Sequence, residues 1–91
     1  MFSIYRTGEA TLPLKQAWEQ GGESFRKAVL RATHDIDHAL AREPHEQGES
    51  REGRTRILFA EPVAVLFEID DAGRRVNILR AWAYGRAPMF E

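Results

Sequence analysis

The feature that most constrains this chain is a helical stripe fenced at both ends. Phe25, Ala28, Val29, Ala32, Ile36, Ala39 and Leu40 recur at three- and four-residue steps through "ESFRKAVLRATHDIDHALAREP". That spacing places apolar side chains on one face of an α-helix. Gly21 and Gly22 stand before the stripe, and Pro44 bars continuation beyond Glu43. A helix that is apolar on one side must be covered on that side, so the rest of the chain has to supply a matching surface.

The second half of the sequence supplies it as strands. "RTRILFA" predicts a strand, "EP" a turn or bulge, "VAVLFEID" a second strand, "DAGRR" a hairpin turn around Gly73, and "VNILRAWAYG" a third. In the middle strand Val63, Val65, Phe67 and Ile69 point one way and Ala64, Leu66 and Glu68 the other. Both faces are apolar near its centre, and one of them should take the helices. Before the stripe, "FSIYRT" reads as a first strand closed by Gly8. "TLPLKQAWEQGG" reads as a short helix with Thr11 as cap, Pro13 in the first turn, and Leu14, Ala17 and Trp18 on one face. The two glycines make the two helices an antiparallel hairpin. The polar stretch from His45 to Gly53 reads as a loop. The expected fold class is α+β: an N-terminal strand, a two-helix hairpin and a three-stranded antiparallel meander in one mostly antiparallel sheet, forming a single domain over residues 1–91.

Composition narrows the function. The chain has 91 residues and a net charge of -1, which argues against a surface that holds nucleic acid by charge alone. A chain this short buries roughly two thirds of its unfolded surface, so a partner covering apolar area would add stability. With no cysteine there is neither a disulfide framework nor a Cys-based metal site. "MFSIYRTGEA" lacks the form of a signal peptide, and no apolar run approaches the ~20 residues of a membrane helix; the expectation is a cytoplasmic protein. Lysine occurs only at Lys15 and Lys27, whereas Arg51, Arg54, Arg56, Arg74, Arg75, Arg80 and Arg86 crowd the second half. Planar, permanently charged guanidinium groups suit phosphate or carboxylate.

Two local patterns are rejected as sites. "GESREGRT" imitates a phosphate-binding loop, but a helix precedes it, a strand follows it, and Arg54 stands where lysine is needed. "HDIDH" sets His34 and His38 one helical turn apart, a zinc-compatible spacing, yet both lie about 160° around the helix from Ile36 and no third ligand is fixed by spacing. Arg74 and Arg75 balance Asp70 and Asp71 in a turn. Trp82 shares strand parity with Arg80 and Tyr84, so an aromatic ring and a cation can flank a base or a partner side chain. Arg51, Arg54 and Arg56 lead into one strand while Arg80 and Arg86 leave another, a placement that neighbouring strands would turn into one cluster. Charged strand ends also protect sheets from edge pairing.

The order of elements resembles the RelE/ParE superfamily of bacterial toxins of type II toxin-antitoxin systems. The likeness is sharpest from about residue 36 to residue 86, in the Pro44 and Gly48 loop, the arginine opening "RILF", the apolar "PVAVLFEID", the turn and "VNILRAW". In ribosome-dependent members, basic residues on the concave face of the sheet hold messenger RNA and promote attack of a ribose 2′-hydroxyl on the adjacent phosphate. Such chemistry needs a proton acceptor, cations and a proton donor. The resemblance implies Arg56 and Arg86 as the cations and Tyr84 as the proton carrier, with Arg51, Arg54, Arg80 and Trp82 as nucleic-acid or partner contacts. The lysines common in those members are absent from the loop and sheet, and arginine is a poor general base. A ParE-like inhibitor that binds DNA gyrase without catalysis needs no such base, and an inactive relative serving as an interaction module is the third reading. The implied partner is an antitoxin laying an amphipathic, acidic segment on the hairpin or sheet. No metal, cofactor or membrane contact is implied.

Overall fold

A computed structural model of the chain describes residues 1–84. Thr7 starts the first helix: its backbone is extended, and its hydroxyl accepts the Ala10 N–H at 3.0 Å, the geometry of an N-cap. The helix α1 therefore spans Gly8–Gln20, earlier than expected. Thr11 is not the cap but lies inside the helix, its hydroxyl donating back to the Thr7 and Gly8 carbonyls at 3.2 and 3.3 Å. Pro13 is correspondingly beyond the first turn, where it leaves the Glu9 carbonyl without its helical donor. Gly21 stops the helix, its N–H bonding to the Trp18 carbonyl at 3.3 Å; a side chain there would strike the Phe25 ring.

The fenced stripe is α2, Glu23–Arg42, and its buried residues are Val29, Ala32, Ile36 and Leu40. Arg26 ties it to α1 by donating to the Trp18 and Glu19 carbonyls at 2.8 and 3.0 Å, which satisfies C-terminal acceptors of α1. At the other end Arg6, just before α1, pairs with Asp37 at 2.6 Å. The contacts run in opposite senses along the two helices, so the hairpin is antiparallel as expected.

The strands are β1 (Ser3–Tyr5), β2 (Glu49–Ser50), β3 (Thr55–Ala60), β4 (Val63–Asp70) and β5 (Arg75–Ala83). They form one sheet in the order β1-β5-β4-β3-β2, with β1 parallel to β5 and the other pairs antiparallel. The segment read as loop thus contains a short 3-10 turn, Pro44–Glu46, and the two-residue β2, which is too short to show any alternation. The alternation of β4 is as expected. Val63, Val65, Phe67 and Ile69 join Val76, Ile78 and Ala81 of β5 and the stripe of α2 in one buried cluster. Leu58 and Ala60 of β3, with Ile4, Leu14, Trp18 and Phe25, pack around its edge.

A bulge in β5 decides what lies on the other side. Phe67 faces Ile78 but Leu66 faces Arg80, so Leu79 is inserted. Strict alternation from Val76 and Ile78 would carry Trp82 to the helix side. The extra residue instead returns Ala81 to the core and turns Arg80 and Trp82 outward.

The β4–β5 turn is held by Asp70, whose carboxylate accepts the Gly73 N–H at 3.1 Å and meets the Arg75 guanidinium at 3.4 Å. Arg74, rather than Gly73, takes the left-handed conformation (φ 50°). The Gly73 bond lowers the Asp70 pKa against an opposing effect of burial, with Arg75 and then Arg54 adding to the lowering. No helix among the described residues is long and apolar enough to cross a membrane.

Two outcomes follow. Phe67→Ala, at a side chain with 0% exposure, should cost about 3–5 kcal/mol, read as a lower urea midpoint. Because folding favours ionised Asp70, its contribution is complete above the ordinary carboxylate pKa and is lost as pH falls through its lowered value. A carboxyl-carbon NMR titration should find Asp70 below a free aspartate, and Gly73→Pro, which deletes the donor, should move it back up.

Candidate partner-binding face

Arg56 stands opposite Phe67 and therefore on the helix side of the sheet. Its guanidinium is committed to the preceding loop: it donates to the Gln47 carbonyl at 3.0 Å, the Gly48 carbonyl at 3.2 Å, the Ser50 hydroxyl at 3.2 Å and, at the limit of a hydrogen bond, the His45 carbonyl at 3.5 Å. The loop is bent to meet it. Gly48 has φ 70°, and a side chain there would run into the Ile57 carbonyl, so the chain turns away from β3 and presents its carbonyls to one side chain. His45 is tied at its ring end to Asp71 at 2.6 Å, which links this loop to the β4–β5 turn.

The other expected site residues scatter. Arg51 and Arg54 are exposed on the turn before β3; the Arg51 N–H bonds to the Thr55 carbonyl at 2.8 Å, and Arg54 reaches the Ile69 carbonyl at 3.5 Å. Arg80 and Trp82 sit on the outer side of the sheet, opposite Leu66 and Ala64, and Arg80 also borders α1, lining a groove with Thr7, Glu9, Leu12 and Pro13 at the β5 edge. Tyr84 follows the strand, its N–H bonding to the Pro62 carbonyl at 2.9 Å and its ring edge-on to Phe59 at 5.2 Å. Arg86 lies outside the described residues. The structure therefore brings Arg80, Trp82 and Tyr84 to one face and holds Arg56 on the other. Since β4 separates β3 from β5, the arginines that open one strand do not join Arg80.

The helix-free face is laid out in rows by the strand register. Nearest the β4–β5 turn, Asp70 and Arg75 pair with each other, and Arg75 also covers the Tyr5 ring at 5.1 Å. The next row is polar: Tyr5, Asn77, Glu68 and Thr55. The third reads Arg80, Leu66, Ile57 and Glu49, and the fourth Trp82, Ala64 and Phe59. Ala64 has 0% exposure although it lies outside the helix-side cluster, whereas Phe59 is 49% exposed. The far half of the face is thus an apolar and aromatic strip with a cation on one flank and a carboxylate on the other. Sequence reading identified Trp82 and Arg80 as contacts and placed Leu66 on the outer half of β4, but missed Phe59, Ile57 and Glu49; the alternation of β3 carried the signal for the first two, and the two-residue β2 carried none for Glu49.

Chemically this face suits contact more than phosphoryl transfer. A ribose 2′-hydroxyl attack requires cations converging on one phosphate beside a proton acceptor and donor. Among the described residues Arg80 on β5 and Arg51, which continues the β2 register opposite Thr55, stand on this face outside the Asp70 pair, but three strand spacings separate them, so they do not converge on one phosphate, and Glu49 and Glu68 would repel it. The histidines do not alter this. His34 and His38 stack on the exposed side of α2 with centroids 6.1 Å apart, Asp37 is engaged by Arg6, and no group of three or more potential metal ligands occurs among the described residues.

Neither a protein-family model nor a curated protein matches this chain. Solved structures do. A chain of the toxin-antitoxin complex RelBE2 from Mycobacterium tuberculosis aligns with TM-score 0.62 and 21% identity, covering 91% of this chain and 98% of that one. The isolated E. coli RelE toxin aligns with TM-score 0.59 and 8% identity over 99% of this chain and 92% of its own. A chain of the intact E. coli RelBE toxin-antitoxin complex aligns with TM-score 0.55 and 8% identity, over 94% of this chain and 100% of that one. The fold is RelE-like: two helices on one face of an open, mostly antiparallel five-stranded sheet.

Arg56→Ala should destabilise the protein by about 1–3 kcal/mol, because several carbonyls lose one shared donor. Arg56→Lys should recover little of this, since a single ammonium cannot reproduce the fork. Faster amide exchange confined to residues 45–51 is the check.

Proposed function

We propose that this chain is the toxin component of a toxin-antitoxin pair and that it acts by holding a protein target, not by cutting RNA. The single observation that carries the reading is the separation of its cations. The arginine that resemblance makes catalytic, Arg56, is bonded to its own loop on the helix side, while the open face offers an aromatic, apolar strip with Arg80 at its edge. The RelE-like fold supports the toxin assignment, as do the similar structures themselves, two toxin-antitoxin complexes and an isolated toxin. DNA gyrase is the target class that the ParE side of the resemblance supplies. In this reading Arg80, Trp82 and Tyr84 contact the target, Arg51 and Arg54 form a cationic rim at the other end of β3, Arg56 shapes the loop, and the antitoxin neutralises the protein by covering the open face.

A second reading, ribosome-dependent messenger RNA cleavage, is favoured by one observation: Tyr84, Trp82 and Arg80 do share a face, so a phenol, a stacking ring and a cation are available together, with Arg86 as the further cation. Induced expression in a bacterial host separates the two. Binding predicts growth arrest without codon-phased messenger RNA ends, abolished by Trp82→Ala with Arg80→Glu and retained in Arg56→Lys at matched soluble expression. Codon-phased cleavage lost in Arg56→Lys would establish the second reading, and no arrest at good soluble yield would remove both.

A further inference from the structure

The open face is complementary to itself. Its third row runs Arg80, Leu66, Ile57, Glu49 across β5, β4, β3 and β2, and its fourth runs Trp82, Ala64, Phe59 across β5, β4 and β3. A twofold axis lying along β4, between two sheets packed face to face, exchanges the β5 side of one copy with the β3 and β2 side of the other. Each row then meets itself reversed. Leu66 meets Leu66 and Ala64 meets Ala64 on the axis, and Trp82 of each copy lies over Phe59 of the other. Arg80 faces Ile57 of the second copy and lies one strand spacing, ~4.8 Å, to the side of Glu49 across the ~10 Å between the sheets, a span that the two long side chains cover together.

We infer that the helix-free face docks a second copy of this chain in a symmetric pair. The physical grounds are those of any isologous interface: one patch must supply both members of every contact. Here alanine meets alanine on the axis while Trp82 and Phe59 meet across the ~10 Å between packed sheets, so the flanking rings carry the apolar contact. Opposite charges stand at equal height on opposite sides. Trp82 and Phe59 are the large rings that anchor such contacts, and Phe59 is 49% exposed. One contact opposes the pair: Glu68 of one copy faces Glu68 of the other near the axis in the polar row. This arrangement does not depend on the toxin reading. Where that reading holds, the pair hides the face that target and antitoxin would use, so self-association and partner binding exclude one another.

Sedimentation velocity on the full chain over roughly 1–200 µM, a range chosen for moderate affinities, tests it. A monomer–dimer equilibrium is expected, weakened about tenfold or more by Arg80→Glu and likewise by Glu49→Arg, since each introduces facing like charges. The double variant Arg80→Glu with Glu49→Arg should restore association to within about threefold, because the pair is re-formed with its sign reversed. Glu68→Gln should tighten it. Circular dichroism confirms that each variant remains folded, and all three positions are exposed or half-buried. A monomer throughout the range would overturn the inference, as would a dimer indifferent to both single reversals.

Discussion

The structure depends on β4 being covered from the helix side. Val63 and Phe67, with 1% and 0% exposure, belong to one cluster with Ile36 and Leu40 of α2, at 2% and 0%. An amphipathic helix 20 residues long cannot leave its stripe in water, and a strand flanked on both edges has no other way to bury its alternate residues. That single packing step positions everything else. With α1 and α2 confined to one side, the register of β3 and β5 against β4 determines which side chains face outward.

Register explains why the most conspicuous arginine is not where its position in the chain suggests. Arg56 and Ile57 are neighbours in sequence and lie on opposite sides of the sheet. A resemblance along the chain places a residue to within one position. In a strand, one position is the difference between a loop anchor and a partner contact. The loop itself accounts for the anchor: Gly48, turned into the left-handed region, brings main-chain oxygens to one place, and a forked, permanently charged donor is the side chain best suited to hold several of them.

Much of the fold was legible in the sequence where a strong pattern met a strong stop. The bounds of α2, the alternation of β4 and the antiparallel hairpin followed from the stripe, Gly21 and Pro44. The miss at Thr11 has a local cause: Thr7 and Thr11 are both suitable caps, and the choice fell to Thr7, from which α1 leads directly out of β1. The two-residue β2 was invisible because its pairing is set by β3 and not by its own residues. Among the site residues, Trp82, Arg80 and Tyr84 were correctly grouped on one face, although strict alternation also matched them to Val76 and Ile78. Only the inserted residue resolves that conflict, and a bulge leaves no compositional mark when it is filled by leucine.

That leucine has a consequence for how such a protein can diverge. Leu79 stands outside the pairing of β5 with β4, so loss of its codon would leave Ile78 opposite Phe67 and Arg80 opposite Leu66, with Ala81 still inward and Trp82 still outward. Loss of a codon at Arg80 or Ala81 would leave no such slack and would move the side chains beyond it to the other face. The strand therefore carries one spare letter, in the typographer's sense, at the single place where a deletion leaves the surface legible.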